Sequence, residues 1–428
     1  MNNIRQLSHK LIVEILQKKN FSNLVIKENI NKIDNNKDKS LLVRIVLGTI
    51  QNKLYLENIV SKYINPEKTN MKIKILFWMS LYQFLFCDRI PEYAIVYEAV
   101  HIAKSINVKL SGFVNATLKK MVSLENPNIH NESYDPNNIV NEEEFLLRYS
   151  FPKDLYNLLI KQYSDKVSEI NSFVIDNTTT PKISFRVNTL RISVEDFLEK
   201  FPEWHFVPSA IAKNVFISKL PLVNSEMHKN GLIYLQDEMS AKVVEFLEIS
   251  TEDKVLDMCT APGGKASYIA QLLNDNGNLT CYDISTSRSF LVEENFKKLG
   301  IKNAKLNVAD SAKIVSDVKY NKILIDAPCS GYGVIKRKPE IKYNIGNISD
   351  KKLLSIIQID LLNNAKKLLA KDGIIVYSTC TINKLENHDI ITKFLAENKD
   401  FELLFEEQKF GFEDNTDGFY IAKLKKTT

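Results

Sequence analysis

The sequence predicts a multidomain chain in three parts: an all-α bundle, a small α+β unit, and a doubly wound α/β domain. Three observations carry that expectation. At 428 residues the chain is roughly two to three times the usual domain size, so a single core is not expected to organise it. The first 125 residues hold only two glycines, Gly48 and Gly112, and repeat apolar residues at helical spacing, which predicts a bundle. After Tyr234, apolar strand patterns alternate with helical ones, and such alternation builds a parallel sheet covered on both faces.

Taken in order, the first region shows its period in Leu7, Leu11 and Ile15 and again in Ile95, Ala99 and Ala103. Residues 1–130 carry 19 Lys/Arg against 10 Asp/Glu, a net +9, which leaves −4 for the rest of a chain whose total is +5. A basic region joined to a near-neutral one fits a module that holds a polyanion beside a catalytic unit, although solvated lysines on helix surfaces give the same count. From Asn126 to Glu144 the chain reads NPNIHNESYDPNNIVNEEE, a linker composition. The expected divisions are therefore a helical domain at 1–130, a linker at 131–150, a helical segment with a small α+β unit at 151–230, and the α/β domain at 231–428. In the α+β unit, ISFRVNTL, SVEDFLEKF and HFVPSAIAKNVFIS predict strand, helix and further strands. Arg186 and Asn188 on its first strand are candidate RNA contacts, with pairing inside the strand as the alternative.

The α/β pattern runs KVLDMC, a helix from Gly264, LTCYDI, a helix to Gly300, AKLNVAD, KILIDAPC, a helix over 351–370, and GIIVYSTC. Ligands of such sheets bind outside the carboxyl ends of the strands. The first strand enters CTAPGGKAS, where Gly263 and Gly264 allow a tight turn and bring a helix N-terminus close to a ligand. The spacing matches neither a Walker A loop nor a dinucleotide GxGxxG. Asp283, Asp310 and Asp326 close the next three strands with no histidine near them, which suits hydrogen bonds to a nucleoside better than a metal cluster.

Five cysteines occur singly, with no CxxC pair, so neither a disulfide framework nor a zinc site is expected. Cys87 and Cys281 lie in helix and strand patterns and read as inert core residues, and Cys259 is expected to pack under the glycine loop. Cys329 in DAPCSGYG and Cys380 in YSTCTINKLEN instead sit at strand ends beside the expected cleft. Thiols placed there suit covalent addition to an electron-poor carbon such as C6 of cytosine, which makes C5 nucleophilic. Asp326 is placed to stabilise charge at the base's N3. Lys336, Arg337 and Lys338 follow Cys329 closely and could lower a thiol pKa, meet phosphate, or do both.

CTAPGGK at 259–265, DAPCSGYG, and the STC run closing on Leu385, Glu386 and Asn387 resemble the RNA cytosine-5 methyltransferases of the Sun/Fmu type. IPEYAIVYEAV at 90–100 and FVNATLKK at 113–120 resemble the NusB-like RNA-binding domain fused to bacterial members that act on 16S ribosomal RNA. The resemblance spans nearly the whole chain. It implies a NusB-like bundle, an RRM-like α+β unit and a class I, Rossmann-like methyltransferase domain. It also implies S-adenosylmethionine bound by Cys259, Thr260, Ala261, Pro262, Gly263, Gly264, Lys265, Asp283, Asp310 and Asp326, a nucleophilic Cys380, and a Cys329 that helps release the product. Where the family has RRHPDIKW this chain has KRKPEIKY at 336–343, keeping the charge but changing His to Lys338 and Trp to Tyr343 on an expected RNA surface.

The expected function is methyl transfer to C5 of a cytosine in RNA, with 16S ribosomal RNA the first choice of partner. Transfer RNA or 23S ribosomal RNA is the alternative substrate. An assembly factor that binds RNA without catalysis and a DNA methyltransferase are the competing classes, and retention of both cysteines, the glycine loop and the acids speaks against the first. A cytoplasmic location is expected, because no apolar run reaches membrane-spanning length and the N-terminus lacks a secretory pattern.

Overall fold

A computed structural model describes residues 3–122, 134–344 and 348–427, and the chain divides into two compact units. The first comprises Met1–Thr179 together with Ile335–Ile345, and the second Thr180–Val334 with Gly346–Thr428.

The helical unit is built round helix Met71–Phe86, in which eleven of sixteen residues are buried. A helix apolar on all sides requires neighbours on all sides, and Ile4–Lys18, Asn36–Gln51 and Glu92–Ile106 supply them. Gly48 permits one close approach, since a Cβ there would lie 2.0 Å from the Tyr82 ring. Asn3, Asn35 and Asn70 cap the starts of their helices by accepting backbone N–H bonds.

The expected boundary at 130 lies outside the described residues, and the one at 150 is corrected. Helix Glu142–Arg148 forms within the presumed linker, and the helices expected beyond it, Lys153–Gln162 and Val167–Asp176, belong to the first unit. Average polarity misled here because Phe145, Leu146 and Phe151 are buried despite their polar surroundings. Ser150 Oγ accepts from Leu54 N at 2.8 Å, and Gln51 Nε2 donates to the Asn177 carbonyl at 2.7 Å. These bonds fasten the segment to the bundle.

The second unit carries two sheets. β1 (Ile183–Val187), β2 (Val207–Pro208), β3 (Val215–Ser218) and β4 (Ile233–Leu235) form an antiparallel sheet in the order β2-β3-β1-β4. Seven strands follow: β5 (Val255–Asp257), β6 (Leu279–Asp283), β7 (Lys305–Val308), β8 (Tyr320–Asp326), β9 (Leu369–Thr379), β10 (Phe401–Lys409) and β11 (Phe419–Lys426). Their order is β10-β11-β9-β8-β5-β6-β7. β9 to β7 are parallel across the sheet, and β10 and β11 close one edge antiparallel. Leu361, Ile375 and Phe394 belong to one apolar core and Ile269, Val292 and Val376 to another, so the sheet is the doubly wound Rossmann-like sheet expected. Strand order reverses between β5 and β8, and a ligand crevice opens at such a switch point.

Candidate active site

The carboxyl ends of β5, β6 and β8 bring together most of the chemistry foreseen. β5 ends in Asp257, which is 1% exposed. One of its oxygens accepts from Cys259 N at 3.3 Å, and the other, Oδ2, has no hydrogen-bond partner among the described residues. Burial, and then the negative charge of Asp326, push its carboxyl up to about 7. Asp257 is not among the site residues expected from sequence. Its signal was available as a lone acid ending an otherwise apolar strand, just before the glycine turn.

The glycine loop is held in place from below. Gly263 adopts φ +96° and starts helix Gly264–Leu272, a conformation that disfavours any side chain. Asp283, 3% exposed at the end of β6, accepts from Ala261 N at 3.1 Å and Ser285 N at 3.0 Å. It thus ties the loop to its own strand. Lys265 Nζ lies 2.7 Å from Asp326 Oδ2, while Ser378 Oγ donates to the other Asp326 oxygen at 3.0 Å. Asp310, just beyond β7, pairs with Lys313 at 2.9 Å, and that bond holds its carboxyl below the ordinary range.

Cys329 and Cys380 end up with their sulfurs 3.4 Å apart, because β8 and β9 are adjacent parallel strands and each cysteine follows its strand's last residues. Hydrogen bonding to Cys380 is the largest cause raising the Cys329 thiol well above its ordinary value, followed by burial and the negative charges of Cys380, Glu386 and Asp326. The two cysteine loops share one bracing network. Fully buried Glu386 accepts from Ser330 N at 2.8 Å and Asn383 Nδ2 at 2.5 Å. Ser330 Oγ meets Thr381 Oγ1 at 2.8 Å, and Gly333 N donates to the Cys380 carbonyl at 3.0 Å. Burial raises the thiols of Cys87, Cys259 and Cys281, as suits inert packing residues.

The expected RNA contacts Arg186 and Asn188 are corrected, since both are 0% exposed. β1 lies between β3 and β4, and its side chains reach the glycine-loop helix. Arg186 donates to Gln236 Oε1 at 3.2 Å, Ser267 Oγ at 2.8 Å, the Gly264 carbonyl at 3.3 Å and Gln271, and its guanidinium lies 4.4 Å from the Tyr268 ring centre. Asn188 Nδ2 donates to the Gly231 and Leu299 carbonyls, both at 2.8 Å. These two residues support the loop from inside the protein. Lys336 is corrected as well: its side chain is 5% exposed and pairs with Asp176 at 2.5 Å. Arg337 and Lys338 are half-buried, with the Lys338 ammonium 5.7 Å from the Phe21 ring centre.

Among the described residues, no helix is long and apolar enough to cross a membrane.

Comparison with known proteins agrees with this architecture. A family model described as 16S rRNA methyltransferase RsmB/F matches residues 244–425, and the NusB family model matches residues 2–123. A probable ribosomal RNA small subunit methyltransferase B of Bacillus subtilis is 29% identical over 99% of this chain and 98% of its own length. The crystal structure of PH0851 superimposes with a TM-score of 0.82 over 100% of this chain and 99% of that one, at 23% identity, which speaks for the fold. A methyltransferase homolog protein from Pyrococcus horikoshii is 27% identical with a TM-score of 0.59, covering 67% of this chain and all of its own.

Proposed function

We propose that this chain is an rRNA methyltransferase of the RsmB/F family with a NusB-family domain at its N-terminus, and that it methylates C5 of a cytosine in 16S ribosomal RNA through a covalent bond between Cys380 and C6. The observation that carries the reading is the 3.4 Å contact between the Cys329 and Cys380 sulfurs at the ends of adjacent strands. A reaction that first forms and later breaks a bond to carbon has use for two thiols at one point. The 16S target rests on the names of relatives that match along the whole chain. The basic excess of residues 1–130 suits the helical domain to holding the RNA.

S-adenosylmethionine fits the residues present. Asp257 offers a buried oxygen in need of a donor, and the cofactor carries an ammonium group and ribose hydroxyls that donate. Residues 259–265 with Asp257, Asp283, Asp310 and Asp326 would hold it. When bound, it supplies a methyl group activated by a positively charged sulfur.

The protein's own groups then divide the work. Cys329, with its thiol pushed up, keeps its proton and can donate a hydrogen bond to the Cys380 sulfur once Cys380 has given its own proton to solvent and become the nucleophile. The thiolate adds to C6, and Asp326, by sharing a proton with N3, offsets the negative charge that this places on the ring. Once the Cys380 lone pair is committed to carbon, the largest cause raising Cys329 disappears. Cys329 can then give its own proton to solvent and take the proton from C5; the C5–H electrons form the C5–C6 double bond, and the C6–S electrons return to Cys380 as that bond breaks.

Cys380→Ala should therefore abolish methylation and form no adduct with RNA, whereas Cys329→Ala should accumulate a protein–RNA complex that survives denaturing electrophoresis. The double variant should form none. Bisulfite sequencing of RNA treated with the wild-type protein should show a protected cytosine in 16S rRNA. An adduct formed by Cys380→Ala and lost in Cys329→Ala would reverse the two roles.

A further inference from the structure

Helix Glu92–Ile106 buries Ile95, Ala99, Ile102 and Ala103. The opposite side of such a helix is ordinarily polar or charged. Here it carries Tyr93 at 78% exposure, Tyr97 at 63% and an exposed His101. These residues stand at positions i, i+4 and i+8, so they form one stripe along the helix, with neighbours about 6 Å apart along its axis. Tyr97 and His101 are in contact, their ring centres 5.1 Å apart. Exposed Lys104 follows on the same stripe, one turn beyond His101.

The charge around the stripe is one-sided. From His101 to Val122 the chain carries Lys104, Lys109, Lys119 and Lys120, all exposed, and no Asp or Glu. The acids of the helix itself are Glu92, in its first turn, and half-buried Glu98, which accepts from Asn3 Nδ2. Flat rings open to solvent beside ammonium groups suit both parts of an unpaired nucleotide, since its base stacks on a ring and its phosphate meets a cation. A base inside a duplex has no free face to offer, because its neighbours in the stack cover both. Lysine is depleted at protein–protein interfaces, so its concentration here favours nucleic acid over a protein partner.

We propose that Tyr93, Tyr97 and His101 form a stacking platform for unpaired bases of the substrate RNA, with Lys104 meeting a phosphate. The proposal rests on the reading of the chain as an rRNA methyltransferase, and it gives the helical domain a preference for looped or single-stranded RNA in addition to general attraction. Stacking of this kind strengthens the ground-state and transition-state complexes alike, so the platform lowers KM for RNA and leaves kcat unchanged.

The test measures binding of full-length Tyr93→Ala, Tyr97→Ala, Tyr97→Phe and Lys104→Gln to a short unstructured oligoribonucleotide and to the same strand annealed to its complement. Both tyrosines are exposed and alanine favours a helix, so these variants should fold. Each alanine variant should bind the single strand about fivefold or more weakly, with duplex affinity within about twofold of wild type. Tyr97→Phe keeps the ring and should stay within about twofold on both. The salt dependence of binding should not change in the tyrosine variants, because stacking releases no counterion, whereas Lys104→Gln should reduce it by about one phosphate contact. In methylation assays the alanine variants should show a raised KM for RNA at constant kcat. Unchanged single-strand affinity in both alanine variants, or an equal loss for strand and duplex, would overturn the proposal. So would normal RNA binding combined with weakened binding to assembled small ribosomal subunits, which would assign the stripe to a protein partner. A wild type that shows these binding differences but methylates no RNA would instead count against the methyltransferase reading and leave the platform in place.

Discussion

Asp257 and Arg186 are both ionisable, both buried and both close to the glycine loop, yet they are treated in opposite ways. Arg186 donates to four groups and lies on an aromatic ring. Asp257 keeps one oxygen without a hydrogen-bond partner among the described residues, and burial pushes its carboxyl up to about 7. Buried polar groups in folded proteins are almost always satisfied, so an unsatisfied one needs a reason. The contrast is between support and cleft: the satisfied guanidinium fastens the small sheet to helix Gly264–Leu272, and the unsatisfied carboxyl leaves a bond open to a ligand.

The largest test of this contrast is on the scaffold side. Arg186→Ala would leave several buried acceptors without a donor, so it should lower stability by about 3 to 5 kcal/mol. Urea unfolding checks this. RNA affinity of the folded variant at low temperature should stay within about twofold of wild type, because no phosphate contact is lost. A large loss of RNA affinity without a loss of stability would return Arg186 to the RNA surface.

Asp283 lies between the two cases, since each of its oxygens accepts a backbone N–H yet it stands at the end of β6. Asp283→Ala should release Ala261 and loosen the loop as well as removing a carboxylate from the cleft. Losing a charge-assisted bond of this kind typically costs about 1.5 to 3 kcal/mol, so affinity for S-adenosylmethionine should fall roughly ten- to a hundredfold. Calorimetry on the folded variant decides, and unchanged affinity would remove Asp283 from the cofactor site.

The smallest effect sharpens the comparison most, because it depends on Asp257 alone. A carboxyl whose folded value of about 7 lies above its unfolded value of 3.8 is kept protonated by the fold. Its contribution to stability is complete below the unfolded value and is lost as pH rises from there through about 7. A cationic ligand prefers the ionised form, so cofactor affinity should increase by up to about tenfold between pH 6 and pH 8. Asp257→Asn should flatten that dependence and raise the melting temperature relative to wild type increasingly from pH 3.8 up to about 7, with no further gain above it. A pH profile identical to wild type would show that Asp257 does not face the ligand.

The sequence by itself determined the helical bundle, the alternation of strands and helices, and the pairing of reactive residue types with strand ends. These are local properties: period, turn chemistry and the position of a residue relative to an apolar run. CTAPGGK, DAPCSGYG and STC could thus be placed at the mouth of the sheet before any coordinates. Strand neighbours are not local, and only the tertiary structure set β8 beside β9 and so brought two cysteines 51 residues apart in sequence to 3.4 Å. Burial is not local either. Arg186, Asn188 and Lys336 looked like RNA contacts because an isolated basic or amide side chain carries no sign of what will cover it. Asp257 was overlooked for the matching reason: what distinguishes it is an unmet hydrogen bond, and that exists only once the surrounding chain has folded and excluded water.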